Sequence, residues 1–168
     1  MQLLADRPAQ GISLREVARA ADVSHNAPYH HFSDRRGLLK VLAERSMADL
    51  VAAVRVAIAD TADPVDAVIE GGAAYVRFAV EHPHGFDVIY DPTVCIPGEP
   101  SETMAPLIDE LEQLLGEASA RAGLDQETDV LAVWGLVHGL GTLCAAGHFS
   151  LDAALAANAA TFRRMLAA

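Results

Sequence analysis

The chain has 168 residues, 52% of them hydrophobic but only 5% aromatic, which is enough to bury one sizeable domain with at most a small appendage. Two cysteines, Cys95 and Cys144, with no CxxC spacing exclude a disulfide framework and a cysteine zinc site, so a reducing cytoplasm is the simplest compartment. The formal net charge of −11 excludes a uniformly basic nucleic-acid binder. The charge is unevenly spread, however. Residues 1–50 carry seven Arg/Lys against six Asp/Glu, and residues 51–168 carry five against seventeen. Only the N-terminal third can approach a polyanion without strong repulsion. Met1 is followed by a polar-mixed stretch without a basic run, so no signal peptide is expected.

Alanine, leucine and valine dominate the apolar residues and suit packed helices better than twisted sheets. Residues 2–6 (QLLAD) read as the tail of a helix, closed by the loop RPAQG. Ser13 stands where an N-cap belongs, and Glu16 completes a capping box. Leu14, Val17, Ala18 and Ala21 follow at helical spacing. Asp22 ends this helix, because Asp enters the left-handed conformation more readily than most non-glycine residues. Val23 is expected to be buried in the turn. Ser24 then caps a short helix through His31, and Ser33 or Asp34 caps a third helix from about Arg35 to Ala59. That helix of 25 residues spans roughly 37 Å at the standard rise.

Further along, Asp63 caps and Pro64 opens a helix to about Glu81. HPHG breaks the chain, FDVIYD is a short helical piece, and PTVCIPGEP, with three prolines, is loop. Ser101 caps a helix to about Ala122, Asp125 caps an uncharged helix, and Ser150 caps the last one, to about Ala167. No strand alternation and no internal repeat is present. The expected fold is all-α, with about nine helices. The uncharged run of 22 residues between Asp129 and Asp152 is long enough to cross a bilayer. His138, His148, several glycines and acidic edges without a basic flank favour a core helix of a soluble protein, with no membrane partner.

The stretch SHNAPYHHF, residues 24–32, gathers three histidines. His25, His30 and His31 stand at i,i+5 and i,i+6, which spreads the rings over different helix faces, unlike the i,i+4 pair of a metal-binding helix. No cysteine or carboxylate completes a ligand set nearby, so neither a metal nor a cofactor is expected. Helix 13–21, the turn at 22–23 and helix 24–31 instead have the spacing of a helix-turn-helix. The N-terminal residues of its second helix face base edges, and here they are Ser24, His25, Asn26 and Ala27. Asn is a natural reader of adenine, and His can donate to guanine or phosphate. Arg35 and Arg36 lie in the first turn of the next helix, where backbone N–H groups favour phosphate. A generic helical hairpin would satisfy the spacing alone.

The run GISLREVARAADVSHNAPYHHFSDRRGLLKVL resembles the DNA-binding domain of TetR-type (TetR/AcrR) transcriptional regulators. The matching features are Ser13, Val17-Ala18, Asp22-Val23-Ser24, Tyr29-His30-His31-Phe32, and Arg35 before Leu38-Leu39. Two positions depart from the pattern, Asp22 in place of the usual glycine and Arg35 where lysine is commoner, and both exchanges are expected to keep the physical role. The resemblance implies a helix-turn-helix domain over residues 1–45 and a ligand-binding and dimerisation domain over 46–168. It implies phosphate contacts from Ser13, Tyr29 and Arg35, and a groove lined by His25, Asn26 and His30. A core aromatic is the plainer role for Tyr29, and packing beside Phe32 is the plainer role for His31. The family has a full first helix before the motif, whereas about five residues precede the loop here, which implies weakened DNA binding or a longer natural start.

The segment WGLVHGLGTL, with Trp134, His138 and Gly139, is similar to a subclass whose regulatory domain carries a Trp and a His-Gly pair (WHG-type) after an upstream His-Pro, here His82-Pro83. Val130, Trp134, Val137, Gly141 and Cys144 share much of one side of that helix, and Leu131, His138 and Leu143 extend its apolar character elsewhere. Such a helix must be covered on both sides, and a homodimer through residues 127–148 and 150–167 would cover it. Tyr75, Phe78, Phe86, Tyr90, Met104, Trp134 and His138 are the candidate ligand-binding residues, with plain core as the alternative for each. For His138 that alternative is a hydrogen-bonded core histidine.

No nucleophile–base pair, paired carboxylates or glycine-rich phosphate loop points to an enzyme. The expected function is a homodimeric repressor that binds double-stranded operator DNA and is released by a hydrophobic small-molecule effector. The alternative is a ligand-binding and dimerisation module with impaired DNA binding.

Overall fold

The computed structural model describes residue 4, residues 8–124 and residues 126–166. Among the described residues the regular structure is helical, with no strand. The α-helices are α1 (Leu14–Ala20), α2 (Arg35–Ala59), α3 (Pro64–Glu81), α4 (Pro83–Ile89), α5 (Met104–Arg121), α6 (Glu127–Ala145) and α7 (Leu151–Met165). Two 3₁₀ turns, Ala9–Gly11 and Ala27–His30, complete the set. There are thus seven α-helices among these residues rather than about nine. The expected helical tail at 2–6 lies, apart from Leu4, outside the described residues, as does the Asp125 cap.

The expected helix over 24–31 is corrected to a single 3₁₀ turn. Pro28 sits in its middle and cannot donate the i→i−4 bond an α-helix needs there. The segment closes instead through Ala27 N–H to the Ser24 carbonyl (2.9 Å) and Tyr29 N–H to the Asn26 carbonyl (3.1 Å). Ser24 therefore enters through its carbonyl, and Pro28 is buried as the turn's anchor.

Most caps are as the residue types dictate. The Ser13 side chain accepts from Glu16 N–H while a Glu16 carboxylate oxygen accepts from Ser13 N–H, at 3.3 and 2.9 Å. Asp34 caps α2 through Gly37 N–H, Asp63 caps α3 through Val65 and Asp66 N–H, and Ser150 caps α7 through Ala153 N–H.

Helix α1 ends in a Schellman motif, with Val23 N–H donating to the Ala18 carbonyl (3.0 Å) and Asp22 N–H to the Arg19 carbonyl (3.3 Å). Asp22 takes the left-handed position at φ 53°, whereas glycine fills the equivalent place after α5 (Gly123) and α6 (Gly147). The motif uses the backbone of Val23 and leaves its side chain 49% exposed, which corrects its expected burial. Asp22→Val puts a β-branched residue at positive φ and is expected to cost about 1–2 kcal/mol. Asp22→Gly should be neutral or slightly stabilising, and thermal denaturation of the two variants checks the contrast.

The chain divides into two compact units, one made of residues 1–47 with 84–105 and the other of residues 48–83 with 106–168. In the first, Ile12, Leu14, Ala18, Leu38 and Leu39 are buried, as are Phe86, Val88 and Ile89. In the second, α3 packs against α6 and α7. Tyr75, Val76, Val133, Val137 and Phe162 are fully buried there. Glycine allows that close approach: a Cβ at Gly72 would lie 2.5 Å from Asn158 Oδ1, and one at Gly141 would lie 3.0 Å from Ala79 Cβ.

Helix α6 buries Val133, Val137, Gly141 and Cys144. Of the residues expected to share one side, Val137, Gly141 and Cys144 are buried, whereas Trp134, one helical step of about 100° round from the buried Val133, is 37% exposed. Leu131 and Leu143, at 59% and 45% exposure, form an uncovered apolar side. Among the described residues, α6 is long and apolar enough by length and composition to cross a membrane.

Candidate functional site

The residues singled out for DNA contact gather around the 3₁₀ turn in the first unit. Ser24, His25, Asn26 and His30 are exposed, Ala27 is half-buried, and Tyr29 is 50% exposed. The core role for Tyr29 is thereby set aside. His31 is also exposed, its ring edge-on to Phe32 with centroids 6.5 Å apart. Ser13 is half-buried, with its hydroxyl 2.8 Å from a Glu16 carboxylate oxygen within the capping box. Arg35 is placed differently. Its Nε donates to the Ile12 carbonyl (2.8 Å) and its Nη2 to the Ala9 carbonyl (2.7 Å), so these two donors are spent on the loop before α1. Arg35 and its neighbour Arg36 are both exposed. Residue order alone does not reveal the Arg35 contacts; the one signal is arginine in a position where the resembling family favours lysine.

The seven candidate ligand-binding residues fall in different units. Tyr75, Phe78, Trp134 and His138 belong to the second, and Phe86, Tyr90 and Met104 to the first. Tyr75, Trp134 and His138 form a polar cluster where α3 meets α6. The buried Tyr75 hydroxyl lies 3.1 Å from His138 Nδ1 and accepts from Trp134 Nε1–H at 3.4 Å. The hydroxyl donates to Nδ1 or accepts from it according to which ring nitrogen of His138 carries the proton. The pairing of Tyr75 with His138 is not foreseeable from sequence, because residues 63 positions apart obey no spacing rule. Phe78 is buried with its ring centroid 4.9 Å from that of His82.

Burial pushes the His138 pKa below its ordinary value of 6.5. The unfolded chain therefore protonates this imidazole before the folded chain does. The contribution of His138 is fully present above about pH 6.5 and is lost progressively as pH falls below it. His138→Gln should flatten the fall of melting temperature between pH 7.5 and 5.5, and an unchanged slope would refute this assignment.

In the first unit, the Phe86 and Tyr90 rings meet tilted at 53°, with centroids 5.0 Å apart. The loop after α4 lines a shallow cleft with Lys40, Glu44, Val94, Cys95 and Met104. Ser101 fastens this loop by donating to Glu44 (2.6 Å) and accepting from Met104 N–H (3.1 Å). Burial, with the Glu44 and Asp91 carboxylates adding to it, pushes the Cys95 thiol pKa up, which disfavours the reactive thiolate. Among the described residues no group of three His, Cys, Asp or Glu side chains is placed to hold a metal ion.

A helix-turn-helix unit joined to an all-helical second unit defines the class of a DNA-binding transcriptional regulator. Residues 1–42 match the family described as bacterial regulatory proteins, tetR family, and residues 68–168 match the tetracyclin repressor-like C-terminal domain. The chain belongs to the TetR family.

Solved structures repeat the fold. A protein of unknown function from Rhodococcus sp. RHA1 is 28% identical with a TM-score of 0.79, covering 99% of this chain and 95% of its own. PfmR, a TetR family transcriptional regulator from Thermus thermophilus, is 23% identical with a TM-score of 0.68, covering 98% and 93%. AlkX, a TetR family repressor from Dietzia sp. strain DQ12-45-1b implicated in biodegradation of n-alkanes, is 20% identical with a TM-score of 0.57, covering 97% and 90%. No curated protein matches the chain.

Proposed function

We propose that the chain is a homodimeric, cytoplasmic repressor whose exposed 3₁₀ turn reads operator DNA and whose second unit takes a hydrophobic effector. The carrying observation is that His25, Asn26, Tyr29 and His30 are exposed on or next to the 3₁₀ turn, with an exposed Arg36 at the start of α2, in the part of the chain that is not acidic. Hydrogen-bonding side chains on an exposed short element, with a cation nearby, suit base edges and phosphates respectively. Two such turns in a symmetric dimer would read half-sites about one duplex turn apart. The dimer would form through α6 and α7. The effector would lie beside Phe78 and the hydrogen-bonded cluster of Tyr75, Trp134 and His138. It would release DNA by favouring a dimer geometry with the wrong spacing, and only to the extent of its differential affinity for the two geometries.

The test is a mobility-shift titration on the DNA upstream of the chain's own coding sequence, at several salt concentrations. Affinity should fall steeply with salt, because phosphate contacts release counterions. Asn26→Ala should lose about 1–3 kcal/mol of discrimination at one base position, whereas Tyr29→Phe should weaken binding to all sequences alike. Identical behaviour of the two variants would overturn the assignment of groove and backbone contacts. No binding even at low salt would favour the alternative of a ligand-binding and dimerisation module.

A further inference from the structure

We propose that Arg35 is a positioning residue of the DNA-reading surface: its guanidinium clamps the loop ahead of α1 and does not serve as a phosphate contact. This rests on reading the first unit as a DNA binder. Nε and Nη2 lie on one edge of the planar guanidinium and meet the carbonyls of Ile12 and Ala9 at 2.8 and 2.7 Å. Ala9 and Ile12 are themselves buried, and Ile12 N–H closes the same turn onto the Ala9 carbonyl at 3.1 Å. The guanidinium therefore grips both ends of a closed turn.

Ile12 is followed directly by Ser13, whose capping box opens α1. Arg35 is the first residue of α2, in the turn that Asp34 caps through Gly37 N–H. One side chain thus ties the beginning of α1 to the beginning of α2, the two helices that bracket the reading turn. A lysine ammonium carries the same charge but no fork, and cannot hold two carbonyls in fixed relative positions. Arginine at this position is then a difference of role rather than a conservative exchange. Arg35 and Arg36 are both exposed, but with two donors of Arg35 engaged by carbonyls the phosphate-facing charge passes to Arg36.

The experiment compares the full chain with Arg35→Lys, Arg35→Gln and Arg36→Gln. Without DNA, hydrogen exchange at the Gly11 and Ile12 amides should speed up at least tenfold in both Arg35 variants and stay unchanged in Arg36→Gln. Amides in the middle of α2 should keep their protection and so report that the unit is folded. If Arg35→Gln loses that protection too, Arg35→Lys carries the decision.

With a duplex selected by the wild-type chain from a random-sequence library, Arg35→Lys and Arg35→Gln should both weaken binding at least tenfold. Neither should change the slope of log affinity against log salt, whereas Arg36→Gln should reduce that slope by about one. The proposal is overturned if Arg35→Lys binds like the wild type while Arg35→Gln lowers the slope by one, which is the signature of a phosphate contact. Unchanged exchange at Gly11 and Ile12 in Arg35→Lys also overturns it. Failure of the wild type to select any duplex overturns the DNA-binding reading, and the exchange measurement then still decides the clamp.

Discussion

Gly72→Val is expected to destabilise the second unit by about 3 kcal/mol or more, the upper end of what overpacking a tight interior costs. Gly72 lies on α3 where it meets α6 and α7. A single Cβ there would come 2.5 Å from Asn158 Oδ1, 3.0 Å from a Val137 methyl and 3.2 Å from the Phe162 ring. None of the three has room to yield, since Asn158, Val137 and Phe162 are all fully buried. Asn158 is held further by its Nδ2–H, which donates to the Ile69 carbonyl at 2.9 Å.

Alanine is the milder probe, because helix propensity returns about 1 kcal/mol when glycine is replaced inside a helix. Gly72→Ala should therefore lose about 1–2 kcal/mol net. Against a total stability of roughly 5–15 kcal/mol for a domain, the valine variant threatens folding itself. Urea denaturation of both variants gives the numbers. Combining Gly72→Ala with Asn158→Ala tests the cause: removing the amide opposite should recover part of the loss, so the two changes should not add. A neutral Gly72→Ala would show that the helices stand further apart than 2.5 Å implies.

The parts of this architecture that are legible in the sequence are those set by local rules. Ser13 with Glu16, Asp63 with Pro64, and Ser150 each announce a helix start through a side chain that reaches only two or three residues along. The extent of α2, Arg35 to Ala59, agrees with the expectation for the same reason. The helix-turn-helix is legible because a family pattern and the cap spacing agree.

Sequence reading fails where a proline changes backbone bonding or where three-dimensional neighbours decide. Pro28 falls about four residues after Ser24, at the edge of where a helix start tolerates proline, and in so short a segment the missing donor leaves only a 3₁₀ turn. The charge of Arg35 suggests a phosphate, but its fork is engaged by carbonyls 23 and 26 residues away. The polar cluster of Tyr75, Trp134 and His138 depends on the crossing of α3 and α6, which no periodicity within either helix encodes.

The α6 surface carries the second large effect. Leu131→Glu together with Leu143→Glu is expected to convert a dimer to monomers, raising the dissociation constant at least a hundredfold. In the isolated chain these two side chains face outward, so the fold should tolerate the charges and helix content should not change. In a two-fold dimer each substitution is present twice on a self-complementary face. Burying one leucine stabilises by about 1.5–3 kcal/mol, so two per protomer exceed what a hundredfold change requires, about 2.7 kcal/mol. Sedimentation across a range of concentrations reads the result, and identical profiles for variant and wild type would remove α6 from the interface.

Gly135 supplies a check of opposite sign on the same face. A Cβ there meets nothing within 4 Å, so Gly135→Ala should raise the stability of the single chain by up to about 1 kcal/mol through helix propensity. If a second α6 crosses close to that glycine, the same methyl should weaken the dimer. Stabilisation at low concentration together with weaker association at high concentration would place Gly135 in the seam. Stabilisation with unchanged association would place the seam further along α6 or on α7.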